Sequence, residues 1–130
     1  MDNETFVGDD GIVYHIAHGD QTDEVARQNA LAMTAAVRSG PFGMLLVDLS
    51  DAGDVSRGAR NSYKDFQIQM TAPGTEPPLH ICFAGGGVFI RTVAKFVSVA
   101  AGRKDVVTFR PTREDAKDWL LSHDPSVPPR

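Results

Sequence analysis

The chain has 130 residues, 42% of them apolar, and a formal net charge of −4. That length and apolar share suit one domain with one core and exclude global disorder. The acidic balance argues against non-specific nucleic-acid binding, which needs a basic excess to neutralise phosphates.

Cys82 is the one cysteine, so an intrachain disulfide is excluded, in keeping with a reducing compartment. The start, MDNETFVGDD, is acidic and lacks the basic and apolar regions of a signal peptide. No apolar run approaches the ~18 residues of a membrane span. The expectation is a soluble, cytoplasmic, single-domain protein.

Thr5–Gly8 predicts a short strand. Asp9-Asp10-Gly11 marks a tight turn, and Ile12–Ala17 predicts a second strand, giving an N-terminal hairpin closed by Gly19 and Asp20. Asp20 or Thr22 caps the next helix, with Asp23 and Glu24 in its first turn. Val25, Ala26, Asn29, Ala30, Met33 and Val37 then share one face at helical spacing. Gly40-Pro41 ends this helix, glycine in the left-handed position and proline beyond it.

Gly43–Leu49 predicts a third strand, apolar enough for a central place in a sheet. An acidic, serine-bearing loop follows. Ser56 or Asp54 caps a second helix with a stripe of Ala59, Tyr63, Phe66 and Met70. Residues 72–78 are rich in Pro and Gly and predict a linker. Leu79–Ala84 is the fourth strand, and Gly85-Gly86-Gly87 turns it into a third helix over Val88–Ala101, stopped by Gly102. That helix is apolar nearly all round, which implies burial or a contact. Val106–Phe109 is the fifth strand. Thr112 to Asp115 matches a capping box before a last helix with Ala116, Trp119 and Leu120, ended by Asp124-Pro125.

The order ββαβαβαβα predicts an α/β fold: one mostly parallel five-stranded sheet, four helices and right-handed crossovers. The domain covers residues 1–124, and 125–130 form a flexible tail. His15, Cys82 and Thr108 are expected opposite the strongly apolar strand faces, leaving one sheet face less tightly covered.

Three stretches invite a functional assignment. The loop from Ser50 to Gly58 carries Ser50, Asp51, Asp54, Arg57 and Gly58, and Arg60 lies one helical turn beyond Arg57. Hydroxyls at a helix N-terminus stand where added negative charge is favoured, which makes Ser56 a candidate phosphorylation site. Its plainer role is a helix cap. Arg57 and Arg60 suit an anion or an acidic partner, or form a solvated face. Gly85 to Gly87, between strand and helix, resembles a phosphate cradle, but lacks the Lys-Ser/Thr of a nucleotide loop and is also explained by close packing. Along the third helix, Phe89, Val93, Phe96 and Val97, with Gly86 and Gly87 before them, suit a ligand pocket or a homodimer seam. A ligand pocket there is expected to measure a few hundred cubic ångströms.

His15 and His18, three apart on a strand, face opposite ways and cannot chelate together, so no metal is expected. Cys82 reads as a small apolar core residue rather than a nucleophile. No paired carboxylates, Ser/His/Asp set or cofactor motif stands out by spacing, so the chain is expected to be no enzyme and to carry no cofactor.

The segment VDLSDAGDVSRGAR and the ending VVTFRPTREDAKDWL, with Phe109, Thr112, Glu114, Ala116, Trp119 and Leu120, resemble the STAS-like proteins of SpoIIAA-like type. These are relatives of anti-sigma-factor antagonists. The resemblance spans Thr5 to Leu121 and implies a non-enzymatic regulatory or protein-interaction domain. It implies phosphorylation of Ser56 by a partner kinase as a switch, and an anti-sigma-type regulator as the kind of partner. The same branch is similar in fold to lipid-transfer domains, which implies the alternative of a module for a lipid or another small apolar or anionic ligand.

Overall fold

The computed structural model describes residues 2–40, 43–72, 79–103 and 107–122. The expected tail, the linker at 73–78 and the stop at Asp124-Pro125 lie outside them. Strands β1 (Glu4–Val7) and β2 (Val13–Gln21) form the antiparallel hairpin. Then follow α1 (Asp23–Ser39), β3 (Met44–Val55), α2 (Arg57–Met70), β4 (His80–Ala84), α3 (Val88–Ala100), β5 (Val107–Arg110) and α4 (Arg113–Leu121).

The sheet order is β1-β2-β3-β4-β5, with every pair after the first parallel. The sheet is therefore mixed, with one antiparallel edge strand. Because the order steps one way across the sheet, three right-handed crossovers put α1, α2 and α3 on the same face. Val13, Leu45, Val47, Leu49, Ile81 and Phe83 point into that face and pack with Met33, Phe66 and Ile90. The alternate residues Ile12, Tyr14, Leu46, Cys82 and Ala84 point the other way, where α4 covers them with Ala116 and Leu120. One helix against three is the physical content of the unequal coverage.

His15 and Cys82 do not share a face, contrary to expectation. His15 stands in register with Val47 and Phe83, whereas Cys82 is in register with Leu46 and follows Tyr14 onto the α4 side.

The segment Ser50–Val55 is strand rather than the expected loop. It pairs with His18–Gln21, so Gly19 and Asp20 lie inside β2 instead of closing the hairpin. β4 ends opposite Asp48, so this extension has only β2 beside it. Its polar side chains stay wet and give no apolar alternation. The pairing is irregular between Ile16 and His18 and between Gly19 and Gln21, as β-bulges at a sheet rim are.

The caps fall where their chemistry requires. Thr22, Ser56 and Thr112 each accept an amide from three residues on. Gly40 is extended, not left-handed. It precedes Pro41, and a residue before proline is pushed out of helical geometry into the extended region.

Candidate functional site

The α2 N-terminus collects Asp54, Ser56, Arg57, Gly58 and Arg60 of the residues singled out by sequence. The Ser56 hydroxyl accepts from the Ala59 amide at 3.1 Å and donates to the carboxylate of Asp23. Asp23 therefore lies over the first turn of α2, and a Cβ on Gly58 would fall 2.3 Å from its carboxyl carbon. A carboxylate already takes the place that favours negative charge. Asp54 donates its amide to Asp20 Oδ1 at 3.0 Å, closing the β2–β3 extension. Arg57 and Arg60 are exposed, and Arg60 Nε donates to the Val55 carbonyl at 3.3 Å.

The other half of the expected loop belongs to a different cluster. Asp51 meets His18 Nδ1 at 2.7 Å while Glu4 meets Nε2 at 3.0 Å, and these two hydrogen bonds, Asp51 first, raise the His18 pKa. Ser50 donates its amide to Asp48 at 2.9 Å. Asp48 is buried within β3, opposite the last residue of β4, and Arg113 of α4 gives both Nε and Nη2 to its Oδ2, at 2.9 and 2.8 Å. Burial alone raises the Asp48 pKa; the Ser50 and Arg113 contacts outweigh it and leave it below the usual carboxylate range.

Gly85 and Gly86 have positive φ, and a Cβ would meet Ser50 Oγ at 2.2 Å and Ile90 Cγ2 at 2.7 Å respectively. Both glycines are explained by close packing. Gly87 is the N-cap of α3, with open space around it.

Helix α3 separates the four residues expected to form one surface. Phe89 and Phe96 are 61% and 65% exposed, whereas Val97 is buried and Val93 half-buried. All four cannot meet a second copy together. The reason is helical spacing: Ile90, Val93 and Val97 turn to the sheet while Val88, Phe89, Phe96 and Val99 form an outward apolar stripe. On one side of it, Arg57, Arg60 and Lys64 of α2 line a shallow groove with Phe96 and Ala100. Arg91 and Lys95 flank the other side by the same spacing. Among the described residues, no ion pair involves any of these five cations.

Beneath α3 the sheet and helices enclose a cavity of about 70 Å³, smaller than the few hundred expected, lined by Val93, Val97, Phe83 and Leu45 among others. His15 and Gln67 line it too, and both are buried. At its rim the Tyr63 hydroxyl donates to Gln21 Oε1 at 2.7 Å, and Asn29 donates to both at 3.1 and 3.0 Å. Gln67 carries no functional signal by spacing, and Asn29 is marked only as part of the apolar face of α1. A glutamine on the buried stripe, one residue after Phe66, was the available signal, by residue type alone. Cys82 is buried, and burial pushes its thiol up to about 11. Among the described residues, no three His, Cys, Asp or Glu side chains gather as metal ligands do, and no helix is long and apolar enough to cross a membrane.

No protein-family model matches this chain, and no curated protein is significantly similar to it. A crystal structure of an uncharacterized protein of the DUF3478 family from Shewanella loihica PV-4, described as having a SpoIIAA-like fold, does match. The likeness covers 91% of both chains with a TM-score of 0.62. The fold is SpoIIAA-like. At 17% identity that likeness is one of fold, and function has to come from the sites on it.

Ligands of open α/β sheets lie where the strand order reverses. This SpoIIAA-like sheet runs from β1 to β5 without reversal. The carboxyl edge near Gly85–Gly87 therefore lacks the crevice that such a reversal opens.

Proposed function

We propose that this chain is a non-enzymatic SpoIIAA-like interaction domain that docks an acidic protein partner on the face formed by α2 and α3. The observation that carries it is the apolar stripe of Val88, Phe89, Phe96 and Val99 with cations on both sides, on a chain of net charge −4. Exposed phenylalanines next to one another mark contact surfaces, and aromatic anchors supply most of an interface's affinity. Unpaired cations around them select an acidic partner and speed its approach. A phosphoserine switch at Ser56 draws less support, because a phosphate there would meet the Asp23 carboxylate.

The test is comparative capture from the protein's own cells by wild-type, Phe96→Asp and Arg60→Glu chains. A protein held by the wild type and lost from both variants supports the assignment. A protein held equally by all three overturns it, as does retention on phosphatidylglycerol vesicles with no protein captured.

A further inference from the structure

His15, 2% exposed, and Gln67, 4% exposed, both line the cavity beneath α3, and His15 Nε2 and Gln67 Oε1 are buried without a hydrogen-bond partner among the described residues. Buried polar groups are almost always paired, so two orphans lining one cavity ask for an occupant. The rest of the lining is apolar, except for Gln21 and Tyr63, whose side chains are engaged with Asn29 and each other. The volume, about 70 Å³, is several times the ~10–15 Å³ that one water needs. Each buried water also wants two to four polar partners, so a group of waters would be left short by two orphan atoms.

We propose that this cavity is a binding site for a small neutral molecule, apolar apart from one hydroxyl, which pairs with His15 Nε2 and Gln67 Oε1. A hydroxyl both donates and accepts. Gln67 Oε1 accepts a hydrogen bond from it. Thr5 Oγ1 lies 2.8 Å from His15 Nδ1, and when it donates there, Nε2 carries the ring hydrogen and donates to the hydroxyl oxygen. Burial first, then the neighbouring His18, lower the His15 pKa to about 4, so the ring is neutral near pH 7 and calls for no charged ligand. The apolar body of the ligand packs against Leu45, Phe83, Val93 and Val97.

Phenol and toluene, which differ by the hydroxyl, are the probes. Their binding to the full chain is followed by the NMR signals of the Gln67 amide and the His15 ring. Phenol is expected to bind about tenfold or more tightly than toluene, the worth of satisfying a buried polar atom. Gln67→Met, which replaces one orphan by an apolar group of similar length, is expected to keep toluene binding and lose the preference. His15→Leu is a second variant with the same expected outcome. Equal binding of the two probes, no shift of either signal at millimolar probe, or ordered waters that stay in place when phenol is added would overturn the proposal.

Discussion

The Ser56 hydroxyl donates to the Asp23 carboxylate while accepting from the Ala59 amide, so one side chain caps α2 and ties it to the first turn of α1. Asp23 stabilises the α2 N-terminus from outside the helix, in the place where a bound or covalent anion would sit.

Replacing Ser56 with Ala is expected to cost about 1 kcal/mol, the usual worth of an N-cap. Ser56→Asp keeps a capping oxygen but sets two carboxylates together. It is expected to destabilise the wild type and to do so much less in an Asp23→Asn background. Urea midpoints of the four chains measure this. A Ser56→Asp chain as stable as the wild type would contradict it.

Gly58 is set by the same carboxylate. Ala has a helix propensity up to about 1 kcal/mol better than Gly. Here a Cβ would lie 2.3 Å from Asp23 Cγ, so Gly58→Ala is expected to destabilise. In an Asp23→Ala chain the obstacle is gone and the sign reverses, which thermal midpoints of the pair would reveal.

The two histidines of β2 titrate in opposite directions. Burial lowers the His15 pKa from 6.5 to about 4. Between those values the unfolded chain binds a proton that the native chain refuses. Stability is therefore lost as pH falls from about 6.5 towards 4, by on the order of 3 kcal/mol. For His18 the Asp51 and Glu4 hydrogen bonds raise the native pKa above 6.5. Its contribution is complete below the unfolded pKa and is lost as pH rises through the raised value. Ring-proton shifts followed across pH are expected to move late in acid for His15 and above 6.5 for His18.

Asp48 and Arg113 join the middle of β3, beside the end of β4, to the start of α4. Arg113→Ala leaves a buried carboxylate without its cation and is expected to cost about 1–3 kcal/mol, less than a fully buried pair because Arg113 itself is half-exposed. The native Asp48 pKa is lowered, so the pair's contribution is present above the unfolded carboxylate value and is lost as pH falls through the native one. Denaturant unfolding of Arg113→Ala in wild-type and Asp48→Asn backgrounds reads the coupling, which is expected to vanish when both partners are gone.

The order of elements, the N-terminal hairpin and the Thr112 cap were legible in the sequence, and Thr22 and Ser56 each as one of two candidate caps, because alternation and capping chemistry are local. The extension of β3 was not, since Ser50, Asp51 and Asp54 face water beyond the end of β4 and mimic a loop. Nor was the side of the sheet on which His15 lies, because neighbouring strands fix it through register. Apolar composition all round α3 concealed a division that only packing decides: Val97 inward, Phe96 outward. The meeting of His15 and Gln67 at one cavity comes from packing the sheet against the α1–α3 layer and leaves no mark on either local sequence.

The α2–α3 face is the proposed working surface. The most direct measurement places a photo-crosslinking phenylalanine analogue at Phe96 and, as control, at the exposed Leu31 of α1, in the protein's own cells. The expected result is one acidic protein joined at position 96, absent at position 31, and lost when Arg57 and Arg60 are changed to Glu. A partner joined at position 31 and not at position 96 would contradict the assignment of this face.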